Sequence, residues 1–110
     1  MSRDTTLYVE DILKSIRSLE NFVVGQTYEQ FLEDERNQFA VMKGLEIIGE
    51  ASAHIEEVIK VKYPEVEWRA IIAVRNILIH EYFDVDLKIV WDIIHDDLPA
   101  LKKQIEVILQ

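Results

Sequence analysis

The chain has 110 residues, the size of one ordinary domain, and we expect residues 1–110 to form a single domain. It contains no cysteine, which excludes disulfides, thiolate metal sites and thiol nucleophiles. Its 12 lysine and arginine residues stand against 21 aspartate and glutamate residues, and the formal charge of −9 excludes bulk attraction to RNA or DNA. Without a signal-peptide core or an apolar run long enough to span a bilayer, the sequence predicts a cytoplasmic protein with no membrane partner.

Periodic apolar residues predict two helices in the first third of the chain. The first is predicted from about Asp4 to Val23 and stops before Gly25, because glycine takes the left-handed conformation at low cost. Thr27 and Gln30 match a capping box, which predicts a short helix around Tyr28 to Leu32. The apolar stripe of the first helix consists of Tyr8, Ile12, Ile16, Leu19 and Val23.

The longest helix is predicted from about Arg36 to Lys62. Its end is predicted from Pro64, because a proline cannot continue the helix. Gly44 and Gly49 are small, so we expect another backbone to approach closely at these positions, with Ala51 and Ala53 contributing to the same effect. The apolar seam of this helix consists of Val41, Leu45, Ile48, Ser52, Ile55 and Ile59.

Two further helices are predicted in the second half, from near Glu67 to about Ile79 and from about Asp86 to Leu109. Pro99 is expected to kink or loosen the last helix. With four main helices and one short helix, the predicted fold is an all-α, up-and-down helical bundle. The seam of the last helix consists of Leu87, Val90, Trp91, Ile94, Leu98, Leu101, Ile105 and Ile108.

The helix that begins near Glu67 is apolar on one side and mixed on the other. At roughly 100° per residue, Ile71, Val74 and Leu78 fall together and should face the core. A mixed outer side of this kind suggests a self-association surface that contains a polar site, and therefore a homodimer. The outer side carries Arg69, Ala73, Asn76 and His80, flanked by Ile72 and Ile79.

Arg75 and His80 are the residues of this segment best suited to chemistry. A nearly neutral imidazole can take a proton from a ribose 2′-hydroxyl or give one to a leaving oxygen. A guanidinium can hold the scissile phosphate and offset its growing charge, while Asn76 can orient the ring or the phosphate. Such a set could cleave RNA without a metal.

The spacing of Arg75 and His80 leaves the geometry of the site open. Five residues place them roughly 140° apart on a continuous helix, so they cannot point at one ligand without help. Either the helix ends near Ile79 and His80 turns inward, or a twofold axis brings Arg75 and His80 of two chains into one cleft.

The stretch from Arg75 to Tyr82 resembles the Arg-x4-His-x-Tyr motif of the HepT family of HEPN proteins. Segments over nearly the whole chain resemble the same family in the same order: Leu7–Leu13, Leu45–Ala51, Trp68–Ile72 and Tyr82–Leu87.

The resemblance implies a dimeric ribonuclease toxin of a toxin–antitoxin pair, with its cleft at the subunit interface and no metal or other cofactor. By motif, Arg75 and His80 are the catalytic residues and Asn76 supports them. The implied partner is a minimal nucleotidyltransferase antitoxin, which in some pairs adds AMP units to the motif tyrosine, here Tyr82. Phosphates added beside Arg75 would occupy the cation and obstruct RNA.

Two other functions compete with the nuclease. The acidic charge and the lack of a basic stripe favour a non-catalytic helical partner that holds a substrate or nucleotide for a nucleotidyltransferase. A purely structural helical dimer is the third possibility. Asp92 and His95 form one acid-x-x-His step, but a di-iron bundle needs two, so no metal site is expected. His54 has no matching partner in the sequence.

Overall fold

The computed structural model describes residues 1–110, and all of its regular structure is helical, as predicted. A 3₁₀ turn, Tyr82–Asp84, follows the fifth helix, and a π-helical turn, Ile93–Asp97, joins the last two. None of the helices is both long and apolar enough to cross a lipid bilayer. The α-helices are α1 (Arg3–Val23), α2 (Tyr28–Leu32), α3 (Glu35–His54), α4 (Glu57–Lys62), α5 (Trp68–His80), α6 (Leu87–Asp92) and α7 (Leu98–Ile108).

The bundle is organised around α3, which packs against α1 on one side and α5 on the other. One apolar core of 22 buried residues runs through α1, α3 and the arm formed by α6, the π-helical turn and α7. The stripe predicted for α1 is confirmed, because Ile12, Ile16 and Leu19 have no exposed surface. Every residue of the seam predicted for the longest helix is buried as well. Burial of one such aliphatic side chain contributes about 1.5–3 kcal/mol.

The turns after α1 follow the predicted local chemistry. Gly25 has a φ of +74°, the left-handed conformation that favours glycine. Thr27 and Gln30 form the predicted capping box, with the Thr27 hydroxyl accepting from the Gln30 N–H at 3.1 Å and the Gln30 side chain accepting in return. These contacts reverse the chain and start α2, which places Phe31 in the core.

The prediction of one helix from Arg36 to Lys62 is wrong, because α3 ends at His54 and a separate helix α4 begins at Glu57. Ile55 is extended and buried, and Glu56 turns its carboxylate toward the start of α1. There Glu56 Oε1 accepts hydrogen bonds from the hydroxyls of Ser2 and Thr5, both at 2.6 Å. These bonds lower the pKa of Glu56. The break therefore depends on a contact between Thr5 and Glu56, which are 51 residues apart in the sequence. No glycine or proline at the break predicts it.

Pro99 loosens the last helix, as predicted. A proline has no N–H to donate, and its ring crowds the carbonyl of the residue four positions earlier. The helix responds with the π turn, in which the N–H of Leu98 bonds to the carbonyl of Ile93, five residues back. The arm nevertheless runs from Leu87 to Ile108 and is opened by Asp86, whose carboxylate accepts from the Lys88 N–H at 2.9 Å.

Two glycines let the helices approach α3 closely, as the sequence predicted. Gly44 faces Leu19 of α1, and Gly49 faces Arg75 of α5. A Cβ atom built on Gly49 would overlap the Cβ of Arg75 and lie 3.1 Å from the carbonyl oxygen of Ile71. The α3–α5 crossing therefore brings the backbone of α3 against α5 at the position of Arg75.

Whether Gly49→Ala stabilises or destabilises the fold tests how closely α3 and α5 approach each other. In a helix that is free to accept a side chain, glycine to alanine stabilises by about 0.5–1 kcal/mol. Because a methyl group at position 49 meets α5, we expect Gly49→Ala to lower the free energy of unfolding by about 1–3 kcal/mol. Urea denaturation measures the change, and a more stable variant would contradict the close contact.

Candidate functional site

The face that α5 presents to the core is the predicted one. Leu78 is buried, and Ile71 and Val74 are partly buried against the core. The start of α5 is fixed by Trp68, which is buried and whose indole N–H donates to the carbonyl of Tyr63 at 3.1 Å. These contacts set the rotation of α5 about its axis, and so set where Arg75, Asn76 and His80 lie.

Arg75 is held by two neighbours. Its Nε donates to Glu50 Oε2 at 2.8 Å, its Nη2 contacts the same oxygen, and its Nη1 donates to the Asn76 side-chain oxygen at 2.7 Å. The guanidinium has five N–H groups, so one on each terminal nitrogen has no partner in the chain. Arg75 is thus oriented by a carboxylate while keeping donors for an anion.

Glu50 is the residue that sequence reasoning missed. It lies beside Gly49 on α3, and the closeness of the two helices brings its carboxylate within reach of Arg75. The signal in the sequence is the adjacency of an acidic residue to a glycine at a predicted helix contact. The pair is partly exposed, 24% for Arg75 and 48% for Glu50, so its value is orientation more than stability.

His54 has neighbours that the sequence did not reveal. Its Nδ1 lies 2.9 Å from the carbonyl oxygen of Glu50, and its ring lies 5.2 Å from that of Tyr8. His54 therefore belongs to the same side of α3 as the partner of Arg75.

His80 is the last residue of α5, and its exposed side chain makes no hydrogen bond within the chain. Because α5 remains helical through this residue, His80 does not make the inward turn that was one of the two expected arrangements. The helical geometry keeps it roughly 140° around the axis from Arg75. Within one chain the structure thus joins Arg75 to Asn76 and leaves His80 apart.

Tyr82 lies beyond the end of α5, in the 3₁₀ turn. The N–H of Glu81 closes the last helical bond to the carbonyl of Ile77 at 2.8 Å, and the chain then leaves the helix. Tyr82 is 46% exposed, its hydroxyl makes no hydrogen bond within the chain, and its ring centre lies 4.0 Å from that of Phe83. Tyr82 therefore does not follow Arg75 on a continuing helix.

The outer surface of α5 is exposed and partly apolar. Ile77 and Ile79 are 49% and 43% exposed, and Ala73 and Asn76 are exposed as well. The sequence predicted this mixed character but placed Ile77 on neither face. Such a surface can bind a second protein surface.

Asp92 and His95 are occupied by contacts within their own helix. Asp92 accepts from the Lys88 ammonium at 2.8 Å, and the hydrogen bond raises the pKa of Lys88. The ring of His95 lies 4.0 Å from that of Trp91. No group of three or more His, Asp or Glu side chains is arranged to hold a metal ion.

Comparison with known proteins identifies the family. The sequence model of the HepT-like family, described as ribonuclease HepT-like, matches residues 12–108. The chain belongs to the HepT-like ribonuclease family. Among its relatives, the protein named "Probable ribonuclease HepT" of Thermococcus cleftensis is 42% identical over 106 residues, which are 96% of each chain.

Two further HepT-like relatives are provisionally named as RNases. One of them, a protein of Methanocaldococcus jannaschii, is 38% identical over 96% of this chain and 97% of its own. That of Caldanaerobacter subterraneus is 39% identical over 94% of this chain and 92% of its own. None of the solved structures matches the chain. The family assignment confirms the recognition made from the motif of residues 75–82 and supports a ribonuclease function.

The orientation of Arg75 in this HepT-like chain can be tested by nuclear magnetic resonance. In Glu50→Ala we expect exchange of the Arg75 Nε–H with water to become about fivefold faster, which corresponds to loss of a partly exposed charged pair worth about 1 kcal/mol. Glu46→Ala is the matched control, because Glu46 lies one turn earlier on α3 and pairs with Lys43. Equal exchange in the two variants would show that Glu50 does not hold Arg75.

Proposed function

We propose that this protein is a metal-independent endoribonuclease that acts as a homodimeric toxin. Its membership in a ribonuclease family supports the activity. The main structural support is the state of Arg75. Glu50 and Asn76 hold its guanidinium, and one N–H on each terminal nitrogen has no partner in the chain. His80 lies at the end of the same helix, exposed and without a hydrogen bond within the chain, so both ring nitrogens are available to a substrate.

The proposed reaction is attack of a ribose 2′-oxygen on the adjacent phosphorus. The O2′–P bond forms and the P–O5′ bond breaks, so the products carry a 2′,3′-cyclic phosphate and a 5′-hydroxyl. The imidazole of His80 takes the 2′-hydroxyl proton, and the resulting imidazolium gives a proton to the departing 5′-oxygen. The guanidinium of Arg75 binds the phosphate oxygens and offsets the charge that develops on them.

A second copy of the chain supplies what one copy lacks. One helix cannot turn Arg75 and His80 toward the same phosphate, since they lie roughly 140° apart. A twofold axis beside the exposed outer surface of α5 would bring Arg75 of one chain near His80 of the other, and would repeat this pair at a second, symmetry-related site. The exposed Ile77 and Ile79 provide apolar area for such an interface.

The activity can be tested with purified protein, RNA and a chelator of divalent metals. The parent should cleave and leave 2′,3′-cyclic phosphate ends, while His80→Ala and Arg75→Ala should each lose about 10²–10⁴-fold in rate. His95→Ala is the control, because His95 is exposed and its ring packs against Trp91 on the last helical arm, away from α5 in sequence. Equal cleavage by His80→Ala and the parent would remove the catalytic assignment.

Mixing the two inactive variants tests the shared cleft. In a dimer that combines one Arg75→Ala chain with one His80→Ala chain, one of the two cross-chain sites keeps both residues. Random exchange of subunits should therefore restore about a quarter of the parent activity. No recovery, or sedimentation of the parent only as a 12.9 kDa monomer, would contradict the dimeric site.

We also propose that a minimal nucleotidyltransferase antitoxin silences the enzyme by adding AMP to Tyr82. Tyr82 is about half exposed, its hydroxyl makes no hydrogen bond within the chain, and it lies two residues beyond His80. Its oxygen would attack the α-phosphorus of ATP, forming an O–P bond and releasing pyrophosphate while the hydroxyl proton passes to solvent. The added phosphate would compete with RNA for Arg75 and would block the cleft.

Co-expression with the nucleotidyltransferase tests this regulation. We expect the intact mass of the chain to rise by whole AMP units and RNA cleavage to fall, and Tyr82→Phe to prevent both changes. Tyr28→Phe is the control, because Tyr28 lies on α2, far from Tyr82 in sequence. Neutralised toxicity with an unchanged mass would remove Tyr82 from the mechanism.

A non-catalytic role as a binding partner of the nucleotidyltransferase is the second candidate. The charge of −9 favours it, since acidic proteins repel the RNA backbone. RNA that stays intact with the parent protein, together with nucleotide-dependent binding to the transferase, is the result that this candidate predicts.

A further inference from the structure

An acidic ribonuclease must gain affinity for RNA from something other than phosphate attraction. The formal charge is −9, and the segment that follows His80 carries Glu81, Asp84 and Asp86. Proteins that bind RNA through Lys and Arg depend on attraction to phosphates, so their affinity falls steeply with added salt. This attraction contributes little in a chain with a net negative charge. Contact with the uncharged face of a base avoids the problem, because stacking does not require net positive charge.

Phe83 is the most exposed large apolar side chain of the molecule, at 84%. Its ring centre lies 4.0 Å from that of Tyr82, with an angle of 32° between the ring planes. By contrast, Phe31 and Trp91 form an aromatic pair within the bundle, with Phe31 fully buried. The chain thus presents one stacked aromatic pair largely to solvent, in the turn directly after α5.

We propose that Phe83, backed by Tyr82, is a stacking platform for an unpaired base of the RNA beside the scissile link. The proposal rests on the ribonuclease function proposed above and adds a binding residue to it. Three peptide units separate Phe83 from His80, so their Cα atoms lie within about 11 Å of each other. One RNA strand can therefore touch both. Bases in a duplex are stacked on each other and cannot meet this platform, whereas bases in loops and ends can.

The surroundings of Phe83 favour a base over a phosphate as its ligand. Glu81, Asp84 and Asp86 lie within three residues of it, and their carboxylates repel a phosphate more than a neutral base. Arg75 provides a fixed cation for the scissile phosphate on the preceding helix. The strand would then be held by one phosphate contact and one stacked base, with affinity that depends weakly on salt.

Substitutions at position 83 separate stacking from simple apolarity. For a single-stranded RNA substrate, Phe83→Leu should raise KM about tenfold, equivalent to about 1.4 kcal/mol, and change kcat less than twofold. Phe83→Trp should stay within about twofold of the parent KM, because it keeps an aromatic face. The control is Phe39→Leu on α3, where the phenylalanine is 54% exposed and far from position 83 in sequence.

Two further measurements complete the test. Cleavage of the same sequence held in a duplex should be slow in the parent and unchanged in Phe83→Leu. Binding of uncleaved single-stranded RNA, measured in a His80→Ala background, should weaken about tenfold with Phe83→Leu and fall little between low and high salt.

The outcomes keep the two proposals distinct. If the KM of Phe83→Leu equals that of the parent, the stacking platform is overturned while the nuclease proposal stands. The same conclusion follows if Phe83→Leu and Phe83→Trp raise KM equally. A change of sedimentation coefficient in Phe83→Leu assigns the residue to a protein interface and also overturns it. If the parent cleaves no RNA but binds single strands in a manner that depends on the ring at position 83, the nuclease fails and the platform stands.

Discussion

The crossing of α3 and α5 determines the geometry of the candidate site. Gly49 lets the backbone of α3 approach Arg75 so closely that any side chain there would meet α5. The same approach brings the Glu50 carboxylate to the Arg75 guanidinium, which also donates a hydrogen bond to the side-chain oxygen of Asn76. A long, flexible cation thereby becomes a fixed one, and less rotamer entropy is lost when it binds a phosphate. A packing feature of the bundle thus serves the proposed chemistry directly.

The helix that carries the site also limits what one chain can do. Because α5 stays helical to its last residue, the two proposed catalytic side chains leave the helix in directions roughly 140° apart. A second chain is the simplest remedy, since a twofold axis pairs each residue with the other's copy. The exposed isoleucines near the end of α5 fit that arrangement. The proposed enzyme is therefore a property of the dimer, while the bundle is a property of the single chain.

The proposed recognition of RNA depends on one charged contact and one stacking contact. An acidic protein gains little from the counterion release on which basic RNA-binding proteins depend. A fixed arginine and an exposed aromatic pair can still define one phosphate and one base. The same turn holds Tyr82, so a nucleotide attached there would compete for the cation. Binding, cleavage and silencing would then converge on the few residues that end α5.

The sequence by itself determined the all-α bundle, the buried stripes, the turn at Gly25 and the family, because these depend on periodicity, local backbone preference and an ordered motif. It failed where distant groups meet. The break after His54 depends on Glu56 finding hydroxyls on α1, and the orientation of Arg75 depends on Glu50 across a helix crossing. Only the tertiary structure decided these features, because a helical pattern gives the direction of each side chain about its own axis but not which side chain of another helix it will meet.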